Sequence, residues 1–454
     1  MRRIGVKGLV FVLALGMYIC GCTSVKENSQ DMQIEKKQIT IGWNENNVPQ
    51  LLSEAMVEFN KSSQEYEVVI AHYDWQTGQQ QLEMELATGR GPDLFDMSMV
   101  YGKKLTEKGL IEDLSSYLED GKGLEKDDLE ENVLTCNTID GVLTCIPARF
   151  ELEVLVGKKS LIGENGAWSV EDFLDSVQKK EGIIVSQGTT VVDSEEDNQY
   201  SIVRTVLHGN TDYFLEEGAK KEAFDEEEFK ELLMFAKEYE TGLYDYQTRE
   251  NSRLQVKEEE LLLSSATIYS VEEYMLAKSI LGEETMIVSY PSYDGNAGYC
   301  LQNIVACGMN SGSQVKEGAW EFIEFLVQYR MINEWAEYGF FTQKSGLEEQ
   351  FAEAMERHFS LTLVDDVAVQ VEDPKWRVLY GDGEWIDAYA ASEEDIAALK
   401  KLIDDADRVY DLGSNYIFKI AEEEVLAYLY GDKSLEDTIA MIQSRVQLYL
   451  DEQN

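Results

Sequence analysis

Histidine is nearly absent from this 454-residue chain: only His72, His208 and His358 occur. A serine nucleophile usually takes its base from histidine, and there is no Gly-x-Ser-x-Gly turn, so a hydrolytic triad is disfavoured. His-Glu-x-x-His, the Walker phosphate loop, EF-hand spacing and Cys-x-x-Cys are also missing, which removes the common metal and nucleotide signatures. Basic residues are scarce, 39 Lys and Arg against 87 Asp and Glu, for a formal charge of −48. Such a surface repels polyphosphate backbones and anionic lipid headgroups, so nucleic acid is excluded as a partner. The carboxylates read as a solvated face, and no apolar run after the first approaches membrane-spanning length.

That first run, Leu9 to Ile19, stands behind Arg2, Arg3 and Lys7 and is too short to span a bilayer as a helix. A basic start, an apolar segment and small residues at the cut describe a secretory signal. Ile19-Cys20-Gly21-Cys22 also resembles the bacterial lipobox, which implies cleavage before Cys22 and a diacylglycerol on its sulfur. The alternative is an ordinary cleaved signal with an incidental cysteine. Two acyl chains hold a protein stably on a membrane. Residues 1–21 are therefore read as a lipoprotein signal, residues 22–37 as a polar, aperiodic tether, and the outer face of the cell membrane as the location. Loss of the signal leaves 36 basic against 87 acidic residues, so the lipid rather than surface charge makes the attachment.

From Gln38 onward short β-branched runs alternate with helix-period segments, the pattern of an α/β fold with a largely parallel sheet. Ile39 to Trp43 predicts a strand. Pro49 precedes Leu51, Leu52, Ala55, Met56 and Phe59 at helical spacing, and Tyr66 to Ile70 predicts the next strand. A helix over Gln79 to Thr88 leads through a glycine-rich turn, Gly89 to Asp93, into a third strand. Ligands of such sheets gather at strand carboxyl ends. Trp43, the Tyr73-Asp74-Trp75 cluster and Asp93 fall near strand ends and are the first site candidates. Further on, Trp168 to Ile280 reads as helix-rich, Lys316 to Val327 as a helix, and Ser434 with Asp437 as a capping box before a packing helix.

Asp140-Gly141 between two β-branched runs is a strong hairpin signal, because both central residues of a type I′ turn need positive φ. Counting outward pairs Cys136 with Cys145 at a closely spaced position, so a cross-strand disulfide is feasible there, with two reduced cysteines as the alternative. Cys300 and Cys307 read as members of one strand region and are left unpaired.

Seven Trp and 24 Tyr in so polar a chain suggest another resource. Aromatic faces stack on the C–H patches of sugar rings while carboxylates, amides and Arg take the hydroxyls. Glycoside cleavage needs only two carboxylates at a set separation, and a chain so rich in acids leaves that reading open.

Several segments have a familiar order: the lipobox, then Glu58-Phe59-Asn60-Lys61, Gly91-Pro92-Asp93-Leu94, Lys108 to Leu114, Asp140-Gly141-Val142 leading to Ile146-Pro147, and Ala319-Trp320-Glu321-Phe322-Ile323. Together they resemble the extracellular solute-binding lipoproteins, family 1, that deliver carbohydrates to ABC importers. The ending, Gly431 to Ser434 and then Ile442 to Val446, is similar to the closing helices of multiple-sugar binders. The resemblance implies a two-lobe fold of the type II periplasmic-binding-protein kind with solute enclosed at the hinge. Lobe 1 would comprise residues 38–145 and 299–339, and lobe 2 residues 146–298 and 340–454. It implies a carbohydrate ligand, ABC permease subunits as partners, a monomer, no cofactor, no metal and no enzymatic activity. Carried over by motif, Trp43, Tyr73, Trp75 and Asp93 would bind from lobe 1, Arg149 and Phe150 beside the first crossing, Tyr269 after a strand, Tyr299 at the return, and Trp385 as a wall of lobe 2. Where the family usually has an aromatic after the hairpin proline, this chain has Ala148-Arg149-Phe150, and an Arg there admits an acidic sugar. Two other readings stand beside this one: a lipid-anchored carbohydrate-active enzyme, glycosidase or lyase, and a surface sugar sensor that does not transport.

Overall fold

Alternating burial makes the first strand: Ile39 and Ile41 are fully buried while Gln38 is exposed along β1 (Lys37–Asn44). The protein is seen here as a computed structural model that describes residues 36–453 except 75–76, 120–122, 164–165, 167, 180–183, 187–200, 211–223, 225–226, 240–255, 258, 260, 294–297, 332–337, 365–366, 381–382 and 411. The signal, Cys22 and nearly all of the tether lie outside the described residues, as does Trp75.

β1 pairs in parallel with β2 (Tyr66–Tyr73) on one side and with β3 (Leu94–Asp96) on the other. The helix Gln50–Ser62 connects the first two, and it buries Leu51, Leu52, Ala55, Met56 and Phe59, the stripe its spacing predicts. The hairpin forms as β4 (Thr138–Ile139) and β5 (Val142–Leu143), with φ of +50° at Asp140 and +83° at Gly141. It is shorter than its sequence suggests. Glu131–Cys136 is a helix closed by Asn137, whose side chain donates to the Val133 carbonyl at 2.9 Å, so Cys136 never enters the ladder. Cys136 and Cys145 are both free thiols.

β6 (Arg149–Lys158) is the spine of a second sheet and is buried from Arg149 to Gly157. β7 (Ile184–Ser186), β8 (Leu261–Ile268), β9 (Thr285–Val288) and β10 (Tyr299–Ile304) follow in that sheet. β11 (Cys307–Met309) returns to the first sheet, antiparallel to β3. β12 (Phe340–Phe341) rejoins the second beside Arg149 and Phe150. Two exposed hairpins come next, β13 (Phe359–Val364) with β14 (Val367–Glu372) and β15 (Trp376–Tyr380) with β16 (Glu384–Ala388). β17 (Ala406–Val409) then completes the second sheet beside β10. The first sheet has the order β11-β3-β1-β2 and the second β17-β10-β6-β8-β7, with β12 and β9 also on β6.

Two details differ from the sequence expectation. Tyr299–Ile304, expected in the first lobe, pairs with β6, so the return crossing lies at Val305-Ala306 and Cys300 and Cys307 fall in different sheets. The second sheet is also mixed rather than largely parallel. β6 leaves the crossing as it enters the sheet, whereas β8, β10 and β17 run toward it, so β6 is antiparallel to both β8 and β10.

This polarity positions the site. β11 starts at the crossing and lies antiparallel to β3, with Cys307 beside Asp96, so β1, β2 and β3 all end at the crossing side. Both sheets therefore turn strand carboxyl ends toward the place where the chain passes between them, where α/β sheets hold ligands.

The crossings are tightly built. Val305 has φ of +52°, a left-handed conformation that β-branched residues rarely take, and its carbonyl accepts from the Ala148 N–H at 3.0 Å. Gly339 has φ of +89°, and a Cβ there would lie 2.5 Å from Ile304 Cδ1 and 2.9 Å from Arg149 Cβ. Gly339→Ala is expected to destabilise the fold by on the order of 2–3 kcal/mol, from left-handed strain plus overpacking. A urea-unfolding midpoint equal to wild type would contradict the fit described at this crossing.

Candidate functional site

Along β6 the side chains alternate between two environments. Phe150, Leu152, Val154 and Val156 enter one hydrophobic core, and Leu155 enters the core on the opposite face. The hinge-proximal residues on the Leu155 face are Arg149, Glu151 and Glu153. Cross-strand pairing adds Gln302 and Cys300 of β10 opposite Glu151 and Glu153, and Thr267 of β8 on the other side of Glu153. One step past the last β8 pair, Leu152 with Ile268, stands Tyr269. Its ring stacks on Tyr338 with centroids 4.5 Å apart and planes 22° apart. The Tyr338 hydroxyl hydrogen-bonds Glu151, and 45% of Tyr338 is exposed, so the stack is an aromatic face open to solvent at the strand carboxyl ends.

Burial sets the electrostatics of this wall. Glu151 is only 4% and Glu153 8% exposed. Desolvation pushes the Glu153 carboxyl up to about 7, the neighbouring Glu151 charge adds to the rise, and a 3.2 Å hydrogen bond donated by Thr267 Oγ1 opposes it. Burial raises Glu151 as well, against the hydrogen bond from Tyr338. Tyr290 and Tyr410 lie close enough to feel the Glu153 charge. The His208 ring stacks on Tyr290 at 3.9 Å. Burial first, then the Arg408 and Arg204 charges, pushes its pKa down to about 3, so this imidazole is a neutral packing group. Among the described residues no group of three or more His, Cys, Asp or Glu is placed to hold a metal ion.

Of the residues singled out in the sequence, Tyr269 is the one placed in this cluster. Trp43 is buried in the first-sheet core, with its indole N–H donating to the Asn47 carbonyl at 2.8 Å. Tyr73 packs among Leu82, Leu86 and Phe95 and bonds Glu85 at 2.6 Å. Phe150 and Tyr299 belong to the core on the other face of the second sheet. Trp385 stands 59% exposed on β16, a strand that packs on the helix Val271–Leu281 of that same core. Asp93 precedes β3 and so lies at its amino end. Its carboxylate accepts from the Thr40 N–H and hydroxyl at 2.9 and 2.8 Å and from Ser313 at 2.7 Å, clamping β1 to the turn before the helix Lys316–Gln328.

Arg149 does stand at the first crossing, but its guanidinium is fully buried. It lies 3.2 Å from the Phe341 ring centroid and donates to the Ala148 and Tyr329 carbonyls. Arg330 covers the same ring at 3.8 Å. Glu151, Glu153, Gln302 and Tyr338 were missed. The signal for the two acids was present in Arg149-Phe-Glu-Leu-Glu-Val, where charged and apolar residues alternate through an otherwise buried strand.

The profile of a family described as bacterial extracellular solute-binding protein matches residues 54–360. Among solved structures, the sugar-binding protein MalE from the phytopathogen Xanthomonas citri is similar over 92% of this chain and 98% of its own, at 14% identity and a TM-score of 0.53. An extracellular solute-binding protein family 1 from Alicyclobacillus acidocaldarius aligns over 92% of this chain and 99% of its own, at 13% identity and a TM-score of 0.49. Maltose-bound MalE3 of T. maritima aligns over 91% and 99%, at 16% identity and a TM-score of 0.47. No curated protein matches the chain.

The raised Glu153 pKa makes stability fall with pH. The folded chain keeps a proton that the unfolded chain releases near 4.5, so stability present below that value is lost as pH rises toward 7. Glu153→Gln should therefore stabilise the protein at pH 8 by about 2–3 kcal/mol and leave it nearly unchanged at pH 4. Thermal melts at the two pH values would read this, and equal shifts at both would contradict a buried, titrating Glu153.

Proposed function

We propose, from the premise that this chain belongs to the bacterial extracellular solute-binding proteins, that it captures a carbohydrate between its two sheets and passes it to an ABC importer. The observation that carries this reading is the convergence of strand carboxyl ends from both sheets on the crossings, with the Tyr269–Tyr338 stack beside Glu151 there. A stacked, half-open tyrosine pair fits the C–H face of a pyranose, and buried carboxylates next to it accept hydroxyl protons. The similar fold of Xanthomonas citri MalE, described as a sugar-binding protein, agrees with this chemistry.

The chain has the parts for hinge closure. Three crossings join the sheets: Ile146 to Ala148, Val305-Ala306, and the passage from Met331 to Phe340. A solute touching both sheets gains contacts only when they approach, so it favours the closed arrangement, and the closed surface is what a permease would distinguish. Lobe 1 then comprises the first sheet with its helices through Met331, interrupted from Arg149 to Ile304, and lobe 2 comprises the rest. Anchoring through Cys22 would hold this monomeric receptor at the outer face of the membrane. No covalent step is needed, so the chain acts as a binder and the solute leaves unchanged.

A thermal-shift screen of the chain from Thr23 onward against neutral, acidic and amino oligosaccharides tests this. A ligand at about 100 times its Kd should stabilise the fold by roughly 2.7 kcal/mol. A rise with one sugar class and recovery of the sugar intact is the expected result. Cleaved sugar would indicate the glycosidase or lyase reading instead, and no rise with any carbohydrate would overturn the assignment.

A further inference from the structure

Glu151 and Glu153 share one face of β6, two residues and so about 6.6 Å apart along the strand. Neither is in an ion pair among the described residues. Glu151 Oε2 is buried and has no hydrogen-bond partner among the described residues, although the residue is only 4% exposed. A buried carboxylate oxygen without a donor is costly, and the neighbouring Glu153 carboxyl adds only repulsion when it is charged. The nearby cations are engaged elsewhere. Arg149 donates to the Ala148 and Tyr329 carbonyls, Arg408 to the Gly209 and Gly298 carbonyls, and Arg204 pairs with Glu422 at 3.4 Å. The acids also sit beside the open aromatic face of Tyr269 and Tyr338, which attracts a cation as well as a sugar ring.

We infer that the solute carries a protonated amine, as a free-amine amino sugar does, and that Glu151 receives the ammonium group while Tyr338 and Tyr269 hold the ring that bears it. This deepens the carbohydrate reading and rests on it for the sugar part. It also reverses the acidic sugar admitted by Arg149 in the sequence. A uronate would bring a further negative charge to an acidic wall whose nearby arginines are already occupied. The amine supplies the donor and the countercharge that Glu151 Oε2 lacks, so an ordinary hydroxyl is a poorer match than ammonium.

Isothermal titration at pH 6.5 with four probes tests the inference: a glucosamine trimer, its fully N-acetylated counterpart, a galacturonate trimer and spermidine. The glucosamine trimer is expected to bind at least about tenfold more tightly than the acetylated one, the scale of a charge-assisted hydrogen bond, and the galacturonate not at all. Glu151→Gln should remove that preference, with a melting curve confirming that the variant is folded. Should the Gln variant fail to fold, the wild-type titration repeated at pH 9, where the amine is neutral, is expected to lose the preference, and a preference that persists there would overturn the inference. Equal affinity for the amine and its acetylated form would overturn the amine while leaving the carbohydrate reading intact. Binding of spermidine with no binding of any sugar would support the amine and overturn the carbohydrate. Tighter binding of galacturonate, or no binding of either amine, would overturn the inference.

Discussion

The structure depends on how β6 is held at its first two residues. Arg149 and Phe150 pair with Ile304 and Asn303 on one edge and with Phe341 and Phe340 on the other. Three passages of the chain between the sheets are thereby gathered around a single peptide segment. The Arg149 guanidinium fixes the arrangement from inside, flat on Phe341 and donating to two carbonyls. A fully buried guanidinium is tolerated only where its donors find acceptors, and here they are the Ala148 carbonyl at the first crossing and the Tyr329 carbonyl at the end of the helix Lys316–Gln328. Its role is therefore that of a pin between elements.

The same constraint explains why a polar strip survives in a buried strand. β6 must be apolar on both faces where helices cover it, as Leu155 and Val156 are. Near the crossing the Leu155 face carries Glu151 and Glu153 instead, with Gln302 and Thr267 beside them on the neighbouring strands. Burial away from water raises the pKa of both. A wall of desolvated acceptors with an aromatic pair at its lip suits the recognition proposed for it, and closure of the facing sheet would make it drier still.

Much of this fold was legible in the sequence, because the elements that declare themselves are local. The strand at Ile39, the helix after Pro49, the Asp140-Gly141 turn and the Ser434 cap all appear where period, propensity and φ requirements place them. The site was far less legible. Trp43, Tyr73, Phe150 and Tyr299 look like ligand residues in one dimension, since large aromatics near strand ends serve cores and clefts equally well. Deciding between the two requires knowing which face a neighbouring helix covers. Asp93 was drawn to the right sheet but lies at the amino end of β3, and strand direction relative to a distant crossing is not written in any local pattern. The exchange of Tyr299–Ile304 from one sheet to the other has the same origin, because a strand's partners lie more than a hundred residues away. Tyr269 and the alternation of Glu151 and Glu153 with apolar neighbours are what the sequence offered toward the candidate site.

The central claim is that the two sheets close about these crossings on a solute held at their facing carboxyl ends. Small-angle X-ray scattering of the full mature chain, alone and with a saturating concentration of a sugar that shifts its melting temperature, tests it most directly. The account predicts a smaller radius of gyration in the bound state. Bound sugar with an unchanged scattering profile would contradict closure and place the ligand outside the cleft.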